Sequence, residues 1–250
     1  MVVTLTAHGI RGGELLVDSQ VAVHQQVQIL SALVEIHSRD ENGGQYACSG
    51  TLIGPRLVLT SAHCFDVGLN QWQVEYQQQR YDVSEVGIHK DYRREEVFDA
   101  YWKFLLEIRL HHDLALIKTV KPMGRSLLNL PVYPNHQINN DVFMVGFGQT
   151  EHLYGMGSGE GELRIAGPLQ VSMDLTERIP IVNRRESGCL GDSGGPLLTD
   201  VDGRLTVIGV LSQSDCMGKT TYQQVTASML SHRDFSWGTL SKRQPIIVYE

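Results

Sequence analysis

The chain has 250 residues, with 21 lysines and arginines against 28 aspartates and glutamates, and a formal net charge of -7 at pH 7. This charge argues against a broad basic surface, so neither nucleic acid nor an anionic membrane is expected as a partner. Hydrophobic residues make up 42% and charged residues 20%, which is typical of a folded globular protein rather than a disordered chain. No apolar run reaches the roughly 18 residues of a membrane-spanning helix, so the sequence predicts no transmembrane segment.

Short segments rich in β-branched and aromatic residues recur between turn signals and predict an all-β chain. The predicted strands are, in chain order, 32–36, 46–53, 56–60, 73–76, 114–118, 142–147, 204–211 and 221–225. Gly54-Pro55 separates the second from the third and predicts a hairpin turn. The polar, proline-bearing stretch 121–140 predicts a linker, and the glycine-rich stretch 155–161 predicts a loop.

Two helices are predicted beside these strands. Apolar side chains recur at spacings of three and four between residues 98 and 108, which is the pattern of an amphipathic helix. The side chains that form this pattern are Phe98, Tyr101, Trp102, Leu105 and Ile108. A second, shorter helix is predicted over 232–240, with Ser231 as its N-cap.

The four cysteines form one close pair in each half of the chain and have no C-x-x-C spacing. This arrangement predicts two local disulfides, Cys48 with Cys64 and Cys189 with Cys216. On the loop-entropy account each bridge stabilises the fold by roughly 3 kcal/mol. Disulfides persist in oxidising compartments, so a secreted or periplasmic location is expected.

The most informative motif is Gly-Asp-Ser-Gly-Gly-Pro at residues 191–196. A serine flanked by Gly191 and Gly194 lies on a sharply bent backbone, so its Oγ projects while nearby N–H groups converge on one point. Such a point can stabilise a developing oxyanion. A serine hydroxyl becomes a strong nucleophile only when a base accepts its proton and a third group orients that base. A histidine and a carboxylate are therefore required elsewhere in the chain.

Two upstream residues meet this requirement. His63 lies in Thr-Ser-Ala-His-Cys, where a disulfide at Cys64 would hold the imidazole in place. Asp113 begins Asp-Leu-Ala-Leu-Ile-Lys, where an apolar environment strengthens a carboxylate–imidazole hydrogen bond. The adjacent pair His111 and His112 does not predict a metal site, because adjacent strand residues point to opposite faces and no third ligand is evident. Neither a metal nor a cofactor is expected.

In this order the three motifs resemble those of the chymotrypsin/trypsin family of serine proteases. The resemblance covers roughly residues 31–240 and includes Val-Gly-Ile-His-Lys-Asp-Tyr at 86–92 and Gly-Phe-Gly at 146–148. It implies two packed six-stranded antiparallel β-barrels with the active site in the cleft between them, and a closing C-terminal helix. The expected divisions are an N-terminal segment 1–30, a first barrel 31–121, and a second barrel with the helix 122–250. The absence of the third disulfide common in animal members fits a bacterial source.

The resemblance also implies the role of each site residue. Ser193 would attack the scissile carbonyl, His63 would act as base and then acid, and Asp113 would fix the imidazole tautomer. The N–H groups of Gly191 and Ser193 would form the oxyanion hole. The expected protein is a secreted serine endopeptidase that works through an acyl-enzyme on protein or peptide substrates, with protein inhibitors as candidate partners. A non-catalytic binding protein or an inactive precursor on the same fold is the alternative.

The serine motif also satisfies the G-x-S-x-G pattern of α/β-hydrolases. In those enzymes the acid and the histidine follow the serine along the chain, whereas His232 is the only histidine after Ser193 here. Chain order therefore argues against a lipase or esterase.

In this family a newly released N-terminal isoleucine or valine pairs with the aspartate before the serine, which is Asp192 here. The candidate is Ile10, released by cleavage after Gly9. The expected substrate-binding residues are Ser187, Ser212, Gln213, Ser214 and Thr220. Because Ser187 stands where an acid would select basic side chains, a small or medium apolar side chain is expected before the scissile bond (P1). A basic P1 residue remains the alternative if Asp215 enters the pocket.

Overall fold

The computed structural model describes residues 10–39, 44–66, 70–98, 105–130, 142–149, 151–153, 156–158, 161–174, 179–183 and 186–238. Most of these residues lie in strands, which confirms the predicted all-β class. Within these ranges there is one α-helix, α1 (Val23–Leu30), and it is far too short to cross a membrane.

The strands are β1 (Glu14–Leu15), β2 (Leu33–Arg39), β3 (Gln45–Gly54), β4 (Leu57–Thr60), β5 (Asn70–Tyr76), β6 (Gln79–His89), β7 (Arg93–Phe98), β8 (Leu105–His111), β9 (Ala115–Thr119), β10 (Val142–Gly146), β11 (Glu151–Leu153), β12 (Met156–Ser158), β13 (Arg164–Leu169), β14 (Val171–Asp174), β15 (Ile179–Asn183), β16 (Pro196–Val201), β17 (Arg204–Ser214), β18 (Lys219–Gln224) and β19 (Phe235–Gly238). Single 3₁₀ turns are formed by Leu16–Asp18, Ala62–Phe65, Ala227–Leu230 and His232–Asp234.

The first large sheet has the strand order β19-β6-β5-β2-β3-β4-β9. A further antiparallel pairing of β6 with β9, from Val83↔Thr119 to Ile88↔Ala115, closes six of these strands into a barrel. Its interior is filled by apolar side chains that include Val34, Ile36, Leu52, Val58, Val74, Val86 and Ile117. The predicted hairpin at Gly54 is confirmed by the pairing of β3 with β4.

The second large sheet has the order β1-β13-β10-β16-β17-β18-β15-β14, and all its pairs are antiparallel. Although β13 and β14 stand near opposite ends of this order, only Gln170 separates them along the chain. The sheet must therefore bend so that the end of β13 lies beside the start of β14. The resemblance implied six strands, and the sheet has eight because β1 is added at one edge and β13 and β14 are separated at Gln170.

A shared apolar core joins the two sheets. Leu59 and Leu116 from the first sheet pack in one buried cluster with Phe143 and Leu198 from the second, and Ile29 of α1 belongs to the same cluster. The sheets are thus packed against each other, as the resemblance implied. Residues that connect or flank them can therefore meet at their junction.

The predicted helix between Phe98 and Ile108 is wrong at Phe98 and over 105–108, which lie in strands, and residues 99–104 lie outside the described part of the chain. β7 and β8 form an antiparallel pair from Arg93↔His111 to Phe98↔Leu105, and the Tyr101 and Trp102 of the prediction lie outside the described residues. The apparent helical spacing counted residues of two separate strands as one continuous segment. Along β8 the alternation at every second residue was the relevant period.

The predicted C-terminal helix is confirmed only as one 3₁₀ turn, His232–Asp234. Ser231 stands at its N-cap but makes no side-chain capping bond, and β19 follows at once, so the helix is wrong over 235–238. Pairing of 235–238 with β6 is more favourable than helix formation, because it buries Phe235 in the core between the sheets and places Trp237 over Gly87. Residues 239 and 240 lie outside the described part of the chain.

Two predicted connections are only partly described. Asn129, within the predicted linker, forms a parallel bridge with Thr206 of β17, and residues 131–140 lie outside the described ranges. The predicted loop 155–161 contains β12, which pairs with β11.

Candidate active site

The loop that carries Ser193 depends on two glycines. Gly191 and Gly194 have φ values of +95° and +83°, a conformation that residues with side chains rarely adopt. A Cβ at Gly194 would overlap Thr60 Oγ1 and the carbonyl oxygen of Ser49, both in the first barrel. The glycines therefore permit both the bend and the close approach of this loop to the first barrel.

Backbone hydrogen bonds fix the same loop against both sheets. The N–H of Ser49 donates to the Ser193 carbonyl at 2.8 Å. On the other side, the N–H of Gly194 donates to the Leu211 carbonyl at 2.9 Å, and the N–H of Leu211 donates to the Gly195 carbonyl at 2.8 Å. Ser193 is consequently held at the junction of the sheets.

His63 and Asp113 are hydrogen-bonded to each other. His63 lies in the 3₁₀ turn after β4, and its Nδ1 is 2.8 Å from Oδ2 of the fully buried Asp113. The backbone N–H of His63 donates to Asp113 Oδ1 at 2.9 Å. From the second sheet, Ser212 Oγ donates to Asp113 Oδ2 at 2.5 Å, and Gln223 Oε1 accepts the Asp113 N–H at 3.2 Å. The carboxylate is held in one orientation by groups from both sheets.

The electrostatic environment favours a basic imidazole. Burial alone would lower the pKa of His63, but the charge of Asp113 and its hydrogen bond outweigh burial, so the pKa is raised above 6.5. Because the pKa is higher in the folded chain, this group stabilises the fold below pH 6.5, and the stabilisation is lost as pH rises through the raised value. Nδ1 faces Asp113, which leaves Nε2 to exchange protons with another group.

The structure brings the three predicted residues into one region. A Cβ at Gly194 would lie 3.1 Å from the backbone nitrogen of Ser61, two residues before His63. Leu211, which is bonded to the serine loop, directly precedes Ser212, which is bonded to Asp113. The segments that hold His63 and Asp113 thus flank the Ser193 loop on both sides.

Both predicted disulfides are formed. Cys48–Cys64 ties the His63 turn to β3, and Cys189–Cys216 ties the serine loop to the segment after β17. One disulfide therefore fixes the turn that carries His63, and the other fixes the loop that carries Ser193.

Asp192 is the buried partner of the N-terminal segment. Its carboxylate accepts the N–H groups of Ile10 at 3.3 Å, Gly148 at 2.8 Å and Cys189 at 2.9 Å. Burial raises the pKa of Asp192 to about 7, although these three donors lower it. Asp192 directly precedes Ser193, so the hydrogen bond from Ile10 helps to hold the residue next to Ser193 in place.

Arg11 connects the same segment to the predicted pocket. Its N–H donates to the Ser187 carbonyl at 2.8 Å, and the Ser187 N–H donates to the Arg11 carbonyl at 3.0 Å. The guanidinium donates from Nη1 to the Cys216 carbonyl at 2.6 Å. The sequence did not indicate this hydrogen bond, because Arg11 and Cys216 are far apart along the chain.

The predicted pocket residues meet around Gly188. Thr220 Oγ1 accepts the Gly188 N–H at 2.9 Å, and Ser214 Oγ donates to the Gly188 carbonyl and lies 3.1 Å from Thr220 Oγ1. Ser187 is fully buried, and its Oγ has no hydrogen-bond partner among the described residues. The side chains of Ser214 and Thr220 therefore occupy the space beside Gly188, in the region expected to form the pocket.

Asp215 is exposed and engaged in its own turn. Its Oδ1 accepts the N–H groups of Met217, Gly218 and Lys219 at 2.8, 2.9 and 3.0 Å. Burial raises the pKa of Asp215, but these backbone donors together outweigh burial and lower the pKa below 3.8. The carboxylate is thereby stabilised outside the Ser187 region.

Gln213 and Asp66 have contacts that the sequence did not indicate. Gln213, a predicted pocket residue, donates from Nε2 to the Ile108 carbonyl of β8 at 2.8 Å. Asp66 follows the His63 turn, and Tyr92 Oη donates to its Oδ2 at 2.6 Å. Burial raises the pKa of Asp66, and its charge helps to raise the pKa of His63.

Comparison with known proteins places these motifs in a family context. The family model described as Trypsin matches residues 21–232, which include His63, Asp113 and Ser193. The chain is also similar to coagulation factor IX of Cavia porcellus, with 26% identity over 209 residues, covering 70% of this chain and 67% of the relative.

The effect of Asp113 on His63 can be measured by NMR titration in a Ser193→Ala background, which removes the predicted nucleophile. We expect the His63 imidazole to titrate above pH 6.5 and to titrate below it in Asp113→Asn, where burial acts without the opposing charge. Asp202→Asn, at an exposed turn, is the matched control and should leave the midpoint unchanged. An unchanged midpoint in Asp113→Asn would contradict this assignment.

Proposed function

The chain belongs to the trypsin family, and from this premise we propose that it is a secreted serine endopeptidase that uses Ser193, His63 and Asp113. The observation that carries the proposal is the hydrogen-bonded pair of His63 and the buried Asp113 beside the Ser193 loop. Protein or peptide substrates follow from the family. The two disulfides support secretion, because such bonds persist in oxidising compartments.

The proposed reaction begins with attack of Ser193 Oγ on the scissile carbonyl while His63 Nε2 accepts the serine proton. The N–H groups of Gly191 and Ser193 stabilise the resulting oxyanion. His63 then protonates the departing amine, leaving an acyl-enzyme, and water repeats the sequence to release the acid. Asp113 stabilises the imidazolium that forms in both halves, since its Oδ2 faces His63 Nδ1.

The end of β17 supports binding of an extended substrate. β16 pairs with β17 only as far as Pro196↔Val210, whereas β18 continues to pair with β17 as far as Ser214↔Thr220. Within the described residues, Ser212–Ser214 therefore have a strand on one side only. A substrate can add to the other side by backbone hydrogen bonds, with its side chains alternating between the pocket and the solvent.

The pocket favours a small or medium apolar P1 side chain. Ser214 and Thr220 both reach Gly188, which reduces the depth available to a long side chain. A basic P1 residue needs a facing carboxylate, but Ser187 carries none and Asp215 is bonded within its own turn. The contacts therefore favour the apolar alternative over the basic one.

Activation is proposed to follow cleavage after Gly9. The N–H of Ile10 already lies 3.3 Å from Asp192 Oδ2, and Ile10 is fully buried. Cleavage would replace this amide with an ammonium group, whose charge stabilises an ionised carboxylate that burial otherwise disfavours. On this view the uncleaved chain is the inactive precursor that the sequence also suggested.

A fluorophosphonate probe tests the nucleophile directly. We expect the active chain to be labelled and Ser193→Ala to remain unlabelled, because the probe reacts only with an activated serine. Ser231→Ala, at an exposed position without a capping bond, is the control and should be labelled normally. Equal labelling of Ser193→Ala would contradict the proposal, and labelling of neither chain would favour a binding protein or a precursor.

A panel of peptides that differ only at P1 tests the pocket. We expect kcat/KM for alanine or valine at P1 to exceed that for arginine or phenylalanine by about tenfold or more. Thr220→Gly should shift the preference towards larger side chains. Thr220→Ser, which keeps the hydroxyl bonded to Gly188 and removes only the methyl group, should shift it less. Strong cleavage after arginine would reverse the assignment.

Intact-mass analysis tests the activation site. We expect the active enzyme to begin at Ile10 and to lose activity at strongly alkaline pH, as the ammonium, with a reference pKa of about 8, deprotonates. Asp192→Asn should reduce kcat by roughly 100-fold or more, because it leaves the buried ammonium unpaired. Asp202→Asn is the matched surface control. Full activity in a chain that still begins at Met1 would contradict this mechanism.

A further inference from the structure

Three potential metal ligands meet on the first barrel beside the segment that carries Asp113. The ligand atoms of His89, Asp91 and His112 all lie within 4.8 Å of one another. His89 ends β6 and His112 directly follows β8, so strand pairing brings together residues from distant parts of the sequence. The two histidines and the carboxylate form a mixed nitrogen and oxygen donor set.

The cluster combines one rigid member with two exposed ones. The ring of His89 is 6% exposed, stacks on the ring of His112 with a centroid distance of 5.0 Å, and meets the edge of Phe235 at 5.4 Å. Asp91 Oδ2 lies 3.9 Å from His89 Nδ1, which accepts the Asp91 N–H at 3.3 Å. His89 Nδ1 therefore directs its lone pair towards Asp91, and a metal ion bound to this nitrogen would have to displace the Asp91 N–H from it.

We propose that His89, Asp91 and His112 bind a divalent transition-metal ion of the zinc type, and that occupancy of this site lowers the peptidase activity. Imidazole and carboxylate groups bind Zn²⁺ at roughly 2.0–2.2 Å, so two ligand atoms on one tetrahedral ion stand about 3.3 Å apart. Calcium and magnesium prefer sets made of oxygen atoms alone. Binding thus requires the cluster to contract.

The two exposed residues, Asp91 and His112, would make the movement that brings the ligand atoms closer together. Because the two rings are stacked with an angle of 7° between their planes, the His112 ring must turn for both lone pairs to meet one ion. His112 and Asp91 are exposed and can rearrange, whereas His89 is held by its strand and by Phe235. A water molecule would complete the fourth position, as is usual for zinc with three protein ligands.

Movement of His112 reaches the catalytic residues through the backbone. His112 has φ +49° and directly precedes Asp113, and its carbonyl accepts the Leu114 N–H at 2.7 Å. Pulling His112 towards His89 therefore displaces the peptide group before Asp113, whose carboxylate orients His63. This part of the inference rests on the proposed peptidase function, whereas the binding of metal does not.

Calorimetric titration of Ser193→Ala with zinc chloride tests binding without self-digestion. We expect one equivalent to bind and the affinity to fall by at least roughly tenfold in His112→Gln, an exposed change that should leave folding intact. His111→Gln is the matched control, because His111 lies beside Glu95 on β7 and should not affect binding. Calcium and magnesium should give no comparable heat. Absence of saturable zinc binding, or equal affinity in His112→Gln, would overturn the site.

Peptide hydrolysis by the chain with Ser193 intact tests the coupling. Zinc should inhibit this chain and the His111→Gln variant at the concentrations that fill the site, and should inhibit His112→Gln only at concentrations at least roughly tenfold higher. Equal inhibition of all three would mean that zinc acts at His63 and would overturn the coupling. Zinc binding without inhibition would overturn the coupling alone. Failure of fluorophosphonate labelling in the absence of zinc would instead contradict the proposed function, and calorimetry would still decide the metal site.

Discussion

The buried carboxylate of Asp113 is the contact on which the arrangement of the site depends. One of its oxygens accepts the backbone N–H of His63, and the other faces the imidazole and accepts the Ser212 hydroxyl. His63 belongs to the first barrel and Ser212 to the second sheet, so these bonds also join the two halves of the molecule. A buried carboxylate is tolerated only when such donors surround it, since desolvation of an unpaired charge is costly. The hydrogen bonds that Asp113 needs when buried therefore both stabilise the junction of the two sheets and orient the imidazole of His63.

Asp192 is a second buried carboxylate, and its hydrogen bonds position the loop that carries Ser193. Its carboxylate is surrounded by three backbone N–H groups, and a Cβ at Gly148 would lie 2.5 Å from its Cγ. Burial makes the charged form expensive, which is why its pKa is about 7 and why the nature of the donor at Ile10 matters. Two buried acids thus control the geometry, one through His63 and one through the loop that carries Ser193.

Local sequence patterns gave reliable information where a motif has its own conformational cause. The glycines around Ser193, the hairpin at Gly54 and the two cysteine pairs belong to this class, because each constraint acts over short distances along the chain. The pattern failed between Phe98 and Ile108 and beyond Asp234, where pairing with another strand outweighed the local preference. The sequence analysis also missed α1, whose eight residues pack on the core through Ile29.

The sequence by itself determined the chemistry available to this protein: a serine on a glycine-bent loop, a histidine beside a cysteine, and an aspartate before an apolar strand. Only the tertiary structure decided what surrounds them, namely the Ser212 bond to Asp113, the side chains of Ser214 and Thr220 at Gly188, and the meeting of His89 with His112. The physical reason is that residue type specifies which bonds a group can form, whereas its partners are set by sheet register and packing. Those depend on residues tens of positions away, whose pairing no local pattern records.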